Sequence, residues 1–294
     1  MVRALNLLLT GCLLQGALCR QFEVFMPETI NVLSGSCVTI PCSFEIEEKH
    51  DKNLDSTCKA IWKNNNEIIF DSSTPQQSTI KGNLTGNLLK KDCSTTLNNM
   101  HPNYNGNYEF RLECNNGLRW TFKNKLGINV TVTNVVFKCT FVSAVPPTLA
   151  LTPSTLKGKE GTSVNLSCSA PAPCLSHPPA LTWTPSLGHS QETLQENENK
   201  TKDMISVLTF TASHLHHGKE ISCTAAYNKQ DGSTGPSVSR SVTADISYLP
   251  QDITVSVSPS RSVPEDSNVT LTCSSNANPA VRNYTCYSKD PTLI

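Results

Sequence analysis

Short apolar segments recur between turn residues along most of the chain, and they are rich in Val, Ile, Thr and aromatic residues. In several of them, as at residues 91–97 and 126–132, apolar and polar positions alternate, whereas helical periodicity is almost absent. A period of two is that of a strand with one buried face, and strands recurring about every ten residues are typical of a β-sandwich. The pattern therefore predicts an all-β fold.

The segments group into three units. Residues 21–135 form the first unit, residues 146–247 the second and residues 250–294 the third. A Pro-Pro pair opens the second unit and a further proline opens the third, and prolines commonly mark such boundaries. We expect three domains, the last of them incomplete.

The spacing of cysteine and tryptophan residues indicates which type of sandwich the chain forms. In the second unit Cys168, Trp183 and Cys223 follow the order of an immunoglobulin domain, where a disulfide joins the two sheets and the Trp packs on it. The third unit repeats only the start of this pattern and has Cys286 where the Trp would stand. We therefore predict tandem immunoglobulin-like β-sandwiches: an N-terminal V-type domain, a C2-type domain and a truncated third domain.

The first unit departs from that pattern at its disulfide. Tyr108 looks like the tyrosine corner that opens strand F, but the position two residues later, where the inter-sheet cysteine is expected, holds Phe110. The partner for Cys42 is found earlier, at Cys93 in the presumed strand E. A bridge between strands B and E lies within one sheet and leaves the two sheets free to splay.

The start of the chain has the layout of a secretory signal peptide, which we place at residues 1–19. Arg3 precedes an apolar run at residues 4–14 and a small-residue exit. Removal of Cys12 and Cys19 from the thirteen cysteines leaves eleven. In an oxidising compartment these indicate a disulfide framework rather than metal ligands, with at least one cysteine left over.

Glycosylation signals and charge agree with an extracellular chain. Lys plus Arg equals Asp plus Glu at 24 each, so no global field attracts nucleic acid or an acidic membrane. No later apolar run approaches the roughly 20 residues that cross a bilayer, so we expect secretion if the chain is complete, and membrane attachment only through a segment absent from it. The Asn-X-Ser/Thr sequons are at Asn83, Asn129, Asn165, Asn199, Asn268 and Asn283.

Four features of the chain together resemble the sialic-acid-binding immunoglobulin-type lectins, the siglecs. They are the paired cysteines Cys37 and Cys42 in strand B, Cys93 in strand E, Tyr108-Glu-Phe-Arg111 in strand F, and Arg119-Trp120 in strand G. The resemblance extends over residues 21–290. It implies a lectin at the extracellular face of the plasma membrane that binds sialylated glycans on glycoproteins or glycolipids, mediates adhesion and regulates immune cells. It implies no cofactor and no enzymatic activity.

The resemblance also implies roles for individual residues. Arg111 would clamp the sialic acid carboxylate, Trp120 would contact the sugar, and the main chain at Arg119 and Thr121 would hydrogen-bond the glycan. Phe22 stands where the family has a Trp near the mature N-terminus. Two further implications concern other positions: a disulfide between Cys37 and Cys174 that holds the first two domains together, and Asn105 where the family usually has Asp.

The chemistry of carboxylate binding favours an arginine over a lysine at the candidate site. A planar guanidinium pairs with a carboxylate through two parallel hydrogen bonds, which a lysine cannot do. If Phe110 points into the sandwich, alternation points Arg111 outward. The alternative is a solvated strand arginine paired with Glu109 or Glu113. Trp62 is the better candidate for the core Trp of strand C, which frees Trp120 for the sugar's glycerol tail.

Five further cysteines need separate accounts. Strands C and F are antiparallel neighbours, so we predict a disulfide between Cys58 and Cys114 that braces the strand carrying Arg111. Cys139 lies in an apolar link that fits an extra strand, an intermolecular disulfide or an unusual splice product. Cys273 has lost its partner with the missing strands or pairs with Cys286.

Two other classes of function compete with the lectin. His214, His216 and His217 cluster before strand F of the second unit, but no acidic or cysteine ligand stands at a recognised spacing, so we expect neither a metal site nor an enzyme. An immunoglobulin-type adhesion or immune receptor that binds a protein without sugar is the stronger rival, because the fold does not determine function.

Overall fold

The computed structural model describes residues 21–122, 127–133, 148–259, 262–264 and 266–285. Over these residues the secondary structure is β-strands and four short 3₁₀ helices, at Glu48–Asn53, Leu88–Lys90, Pro102–Tyr104 and His214–His216. The prediction of an all-β chain is confirmed. No helix among the described residues is long and apolar enough to span a bilayer.

The strands fall into two groups along the chain. The first comprises β1 (Glu23–Phe25), β2 (Thr29–Leu33), β3 (Val38–Ile40), β4 (Ser43–Glu45), β5 (Lys59–Asn64), β6 (Glu67–Asp71), β7 (Gly82–Leu84), β8 (Thr95–Leu97), β9 (Gly106–Glu113), β10 (Arg119–Thr121) and β11 (Ile128–Thr133). The second comprises β12 (Ala150–Thr152), β13 (Leu156–Lys159), β14 (Ser163–Pro171), β15 (Ala180–Thr184), β16 (His189–Glu196), β17 (Lys202–Thr211), β18 (Glu220–Asn228), β19 (Thr234–Ser258) and β20 (Thr270–Asn278).

The first sandwich packs a large sheet against a small one. The large sheet has the order β2-β11-β9-β5-β6, with β10 paired to β9, and the small sheet has the order β3-β8-β7. The strands β2 and β11 are parallel, and β1 pairs with β4. Between the sheets lie fully buried aromatic side chains, among them Phe44, Trp62, Phe110 and Phe122. Trp62 is therefore the core Trp, and its Nε1 donates to Thr95 Oγ1 at 2.9 Å.

Strand β9 alternates between core and outer face as its sequence predicts. Tyr108, Phe110 and Leu112 are fully buried, while Arg111 and Glu113 between and beyond them are partly exposed. The Tyr108 hydroxyl donates to the Tyr104 carbonyl oxygen at 2.6 Å, which is the contact of a tyrosine corner. Burial raises the pKa of this hydroxyl, so it stays a donor at any physiological pH.

The second sandwich faces β12-β14-β17-β16 against β13-β19-β18-β15. Cys168 in β14 and Cys223 in β18 are joined by a disulfide across the two sheets. Trp183 packs against the apolar cluster that contains both cysteines, and its Nε1 donates to the buried Ser206 Oγ at 3.0 Å. These are the contacts that a disulfide and Trp make in the core of an immunoglobulin domain.

Strand β19 runs from the second unit into the third without a loop. The third unit, predicted to begin at Pro250, is entered along this single strand, which pairs with β18 and then with β20. The pairing with β20 is irregular on either side of Gln251. Because proline has no N–H to donate, an irregular stretch of this kind accommodates it inside a strand. The boundaries of the three units stay predictions.

The first two sandwiches are linked covalently and by hydrogen bonds. A disulfide joins Cys37 to Cys174, and the Thr39 N–H donates to the Pro173 carbonyl oxygen at 2.7 Å. Gln230, in the β18–β19 turn, donates from its backbone to Gly35 and from its side chain to an asparagine of the first sandwich. Two separate segments of the second sandwich, around Cys174 and around Gln230, thus bind the first sandwich.

Candidate functional site

Arg111 lies on the outer face of the large sheet of the first sandwich. Its cross-strand partner in β10 is Thr121, and Glu113 is opposite Arg119, so these four residues share one face. The Arg111 side chain is 24% exposed, which leaves it accessible to a ligand at the sheet surface. Strand register thus brings together Arg111, Arg119 and Thr121, three of the predicted ligand-binding residues.

The Arg111 guanidinium already has two partners within the protein. Its Nε and Nη2 are both 3.1 Å from Glu113 Oε2, and its Nη1 donates to Thr121 Oγ1 at 2.9 Å. Of the two carboxylates considered as partners, Glu113 is in contact, whereas Glu109 is opposite Lys63 in β5. Arg119 Nε lies 4.0 Å from the other oxygen of Glu113. The Arg111 guanidinium therefore makes contacts within the protein and is not fully solvated.

Phe22 and Trp120 form a separate aromatic pair. Their ring centroids are 4.2 Å apart with an interplanar angle of 23°, and Trp120 remains 44% exposed. Trp120 is opposite Leu112, so alternation directs it away from the face that carries Arg111. Its contact with Phe22 could not be predicted, because it depends on where the chain before β1 lies relative to β10.

The β9–β10 turn is hydrogen-bonded to the segment that precedes β5. The Cys114 N–H donates to the Leu118 carbonyl oxygen at 2.8 Å, and Asn116 Nδ2 donates to Asp55 Oδ2 at 2.9 Å. Hydrogen bonds from the Thr57 side chain and backbone lower the pKa of Asp55, so this acceptor is ionised at neutral pH. The turn is therefore fixed on the side nearest to β5.

The turn between β5 and β6 is a tight two-residue hairpin, because Asn64 pairs with Glu67. Asn65 and Asn66 both have positive φ, 49° and 68°. This conformation matches the twist of a two-residue hairpin, and asparagine tolerates it better than most residues. Little chain is therefore available at this end to reach a ligand on the outer face.

Four disulfides are present among the described residues. They join Cys37 to Cys174, Cys42 to Cys93, Cys58 to Cys114, and Cys168 to Cys223. The Cys93 N–H donates to the Cys42 carbonyl oxygen at 2.8 Å, so that bridge lies between neighbouring strands of one sheet. Cys139 and Cys286 lie outside the described residues, and Cys273 is in β20 opposite Val255.

The three clustered histidines of the second unit each contact a different polar group. His214 Nδ1 is 2.6 Å from Glu160 Oε1, His216 Nδ1 accepts from the Ser213 N–H, and His217 Nδ1 accepts from the Ile246 N–H. Burial lowers the pKa of His216. A geometric cluster of potential ligands in the described residues is Cys37, Cys174 and His177, but a disulfide between the two cysteines removes the thiolates that a metal would need.

A cavity of about 570 Å³ lies between the first two sandwiches. Its lining includes Val32, Pro173, Leu175 and Tyr227, and it includes none of the predicted ligand-binding residues. The candidate site is instead an open sheet surface. Such a surface buries little of a ligand and favours weak, single-site binding.

A profile of CD80-like C2-set immunoglobulin domains matches residues 147–234. Together with the two disulfide-linked sandwiches, this match defines the chain as a tandem immunoglobulin-domain protein, and the predicted fold class is confirmed. The structure also aligns with the full ectodomain (Ig1–Ig3) of mouse nectin-like molecule 4, at a TM-score of 0.38 and 18% identity, over 86% of this chain and 77% of that one.

Similar curated proteins indicate which group of immunoglobulin-domain proteins this chain resembles. Mouse myelin-associated glycoprotein is 27% identical over 270 residues, which cover 87% of this chain and 39% of that protein. Human sialic acid-binding Ig-like lectin 8 is 27% identical over 282 residues, which cover 87% of this chain and 52% of that protein. These similarities support assignment of the chain to the siglec family, and the resemblance found in its sequence is confirmed. The relatives are named as glycoproteins and lectins, not as enzymes.

Proposed function

We propose that this protein is a lectin of the cell surface or the extracellular space that binds sialylated glycans and mediates adhesion, with Arg111 pairing the sialic acid carboxylate. The observation that carries the proposal is the position of Arg111: a partly exposed guanidinium on the outer face of β9, in a sandwich whose disulfide joins neighbouring strands of one sheet. A planar cation at an open surface suits a ligand with a fixed carboxylate.

The similarity to named lectins supports the same ligand class. Human sialic acid-binding Ig-like lectin 8 and lectin 5 align with 87% and 80% of this chain. This chain spans only 52% and 40% of their lengths, and 39% of mouse myelin-associated glycoprotein. Glycan binding, adhesion and immune regulation are therefore proposals for the whole protein.

The residues around Arg111 are suited to contact parts of the sugar other than its carboxylate. Strand β10 is an edge strand, so the main-chain groups at Arg119 and Thr121 that β9 does not use are available to hydrogen-bond a glycan. The stacked Phe22 and Trp120 offer an apolar surface at the same edge for the glycerol tail or the N-acyl group. The carboxylate and the apolar groups of the sugar would then meet different sides of β10.

The extracellular setting has its own support. Four disulfides require an oxidising compartment. All six sequon asparagines are exposed, so oligosaccharides can be attached without unfolding the sandwiches: Asn83, Asn129, Asn165, Asn199, Asn268 and Asn283. We propose glycosylation at these positions and residence outside the cytoplasm.

The ion pair between Arg111 and Glu113 favours a second candidate. An immunoglobulin-type receptor that binds a protein would have no use for a free guanidinium, and an exposed strand arginine paired two residues along is ordinary in such a sheet. Under this alternative the chain binds a protein ligand without sugar.

Binding to cells before and after sialidase treatment separates the two candidates. The full chain, clustered as an Fc fusion to gain avidity, should lose binding when terminal sialic acids are removed from the target cells. A protein receptor would bind treated and untreated cells equally. Mock-treated cells and an unrelated immunoglobulin-domain Fc fusion are the controls.

A further inference from the structure

A count of the Arg111 donors shows which edge of the guanidinium is open. Arginine has five N–H groups. The Nε–H donates to Glu113 Oε2, Nη2 lies 3.1 Å from the same oxygen, and one Nη1–H donates to Thr121 Oγ1. One N–H on Nη1 and one on Nη2 therefore have no partner among the described residues. The end-on edge of the guanidinium consists of one N–H on each Nη atom, and Glu113, which lies beside Nε and Nη2, does not occupy it.

That open edge has the geometry a carboxylate needs. The Nη1 and Nη2 N–H groups are parallel and coplanar, and two parallel N–H groups bind the two oxygens of a carboxylate. Glu113 uses the other edge, formed by Nε and Nη2, and it uses only one of its oxygens to do so. Glu113 and an incoming carboxylate can thus bind the same guanidinium at the same time.

Glu113 is itself held in place. Its cross-strand neighbours are Lys59 in β5 and Arg119 in β10, so cations flank it on both sides. Lys59 Nζ is 2.8 Å from Asp71, and Arg119 Nε is 4.0 Å from Glu113 Oε1. The next residue, Cys114, is disulfide-bonded to Cys58. The backbone at Glu113 is therefore restrained by strand pairing on both sides and by the adjacent disulfide, which keeps its carboxylate beside Arg111.

We propose that Glu113 is the positioning residue for Arg111: it binds the side-on edge of the guanidinium and so presents the end-on edge to the ligand carboxylate. This role rests on the proposed lectin function. Arginine is among the side chains with the most rotamer freedom, and restricting it before binding removes a cost that the ligand would otherwise meet. Thr121 Oγ1 accepts a further hydrogen bond from Nη1 of the same group.

The negative charge of Glu113 weakens binding, which opposes its positioning effect, so the experiment must separate the two effects. Its negative charge lies close to the site and repels a second carboxylate, so any neutral substitution relieves that repulsion. Glu113→Gln and Glu113→Ala both remove the charge. Only Gln keeps an oxygen that accepts from Nε and Nη2. The ratio of their dissociation constants therefore isolates the positioning effect from the charge effect.

The test uses the full chain and the α-methyl glycoside of N-acetylneuraminic acid, titrated by NMR. We expect Glu113→Ala to bind about three- to tenfold more weakly than Glu113→Gln, from the typical cost of immobilising one such side chain, which is about 0.7–1.4 kcal/mol. Glu109→Ala and Glu109→Gln are matched controls, since Glu109 is on the same face but opposite Lys63. They should differ by less than twofold. Circular dichroism and thermal unfolding establish that all four variants fold.

Each result decides the proposal. Equal affinities for the Ala and Gln variants, or tighter binding by Ala, would overturn the positioning role while leaving the lectin function intact. If neither the wild type nor any variant bound the glycoside, even on a clustered array, the proposed lectin function would fall, and the role of Glu113 with it.

Discussion

The disulfide between Cys58 and Cys114 should be a main source of stability for the strand that carries Arg111. It joins the residue before β5 to the residue after β9 and closes a loop with a sequence separation of 56. The chain-entropy model assigns about 4 kcal/mol to a loop of this length, because the bond restricts the unfolded chain. We expect the double variant Cys58→Ala/Cys114→Ala to lose up to this much free energy of unfolding, and we expect the loss to be confined to the first sandwich.

Hydrogen bonds close to the Cys58–Cys114 disulfide compensate for only part of the stability that is lost without it. Asn116 Nδ2 still donates to the Asn53 carbonyl oxygen at 2.6 Å, and the Asn115 N–H still donates to Thr57 Oγ1 at 3.2 Å. Both groups are exposed, so water competes for them, and a typical hydrogen bond contributes about 1 kcal/mol net. The β9–β10 turn therefore stays near β5 in the folded variant, while the unfolded state gains its full freedom.

Hydrogen exchange measured by mass spectrometry can localise the change. Amides of β5 and β9 should exchange up to roughly a thousandfold faster in the variant, since about 1.4 kcal/mol corresponds to a factor of ten. Amides of β18, in the second sandwich with its own disulfide, serve as the internal control. Acceleration of less than tenfold in β9, or equal acceleration in β18, would refute the assignment of this stability to the first sandwich.

Two further predictions concern stability. Tyr108→Phe removes the donor to the Tyr104 carbonyl oxygen without changing the packing volume, and it should cost about 0.5–1.5 kcal/mol in urea unfolding; no loss would contradict the tyrosine corner. Asp71 is buried in part, which alone would raise its pKa, but hydrogen bonds from Lys59 and Ser73 outweigh this and lower it. A carboxyl with a lowered folded pKa stabilises the fold above its ordinary value of 3.8, and the contribution is lost as pH falls below it. The stability advantage of the wild type over Asp71→Asn should therefore be present at pH 6 and shrink towards pH 3, and a constant difference would contradict this.

Local sequence pattern was enough for the parts of the fold that depend on alternation and spacing. The outward position of Arg111 follows from the period of two around Phe110, and the core position of Trp62 follows from strand C. The position of Glu113 two residues from Arg111 made a contact possible. Only the side-chain conformation decides between Glu113 and Glu109, and the sequence holds no such information.

The features that could not be predicted depend on the path of the chain in space. The stacking of Phe22 on Trp120 requires the residue before β1 to lie beside β10, although β1 itself pairs with β4. The passage of β19 through Pro250 requires an irregular ladder, whereas proline in a sequence is most often a boundary. A pattern within one strand carries no signal for either arrangement.

Binding of the clustered full chain to a glycan array tests the central claim most directly, with the wild type compared with Arg111→Ala. Arg240→Ala is the matched control, because Arg240 is an exposed strand arginine of the second sandwich. The account predicts that the wild type and the Arg240→Ala variant bind only glycans that end in sialic acid, and that Arg111→Ala loses this binding by at least tenfold, the loss of a charge-assisted pair being worth about 1.5–3 kcal/mol. Equal binding by the wild type and Arg111→Ala, or no sialylated glycan bound by the folded wild type, would contradict it.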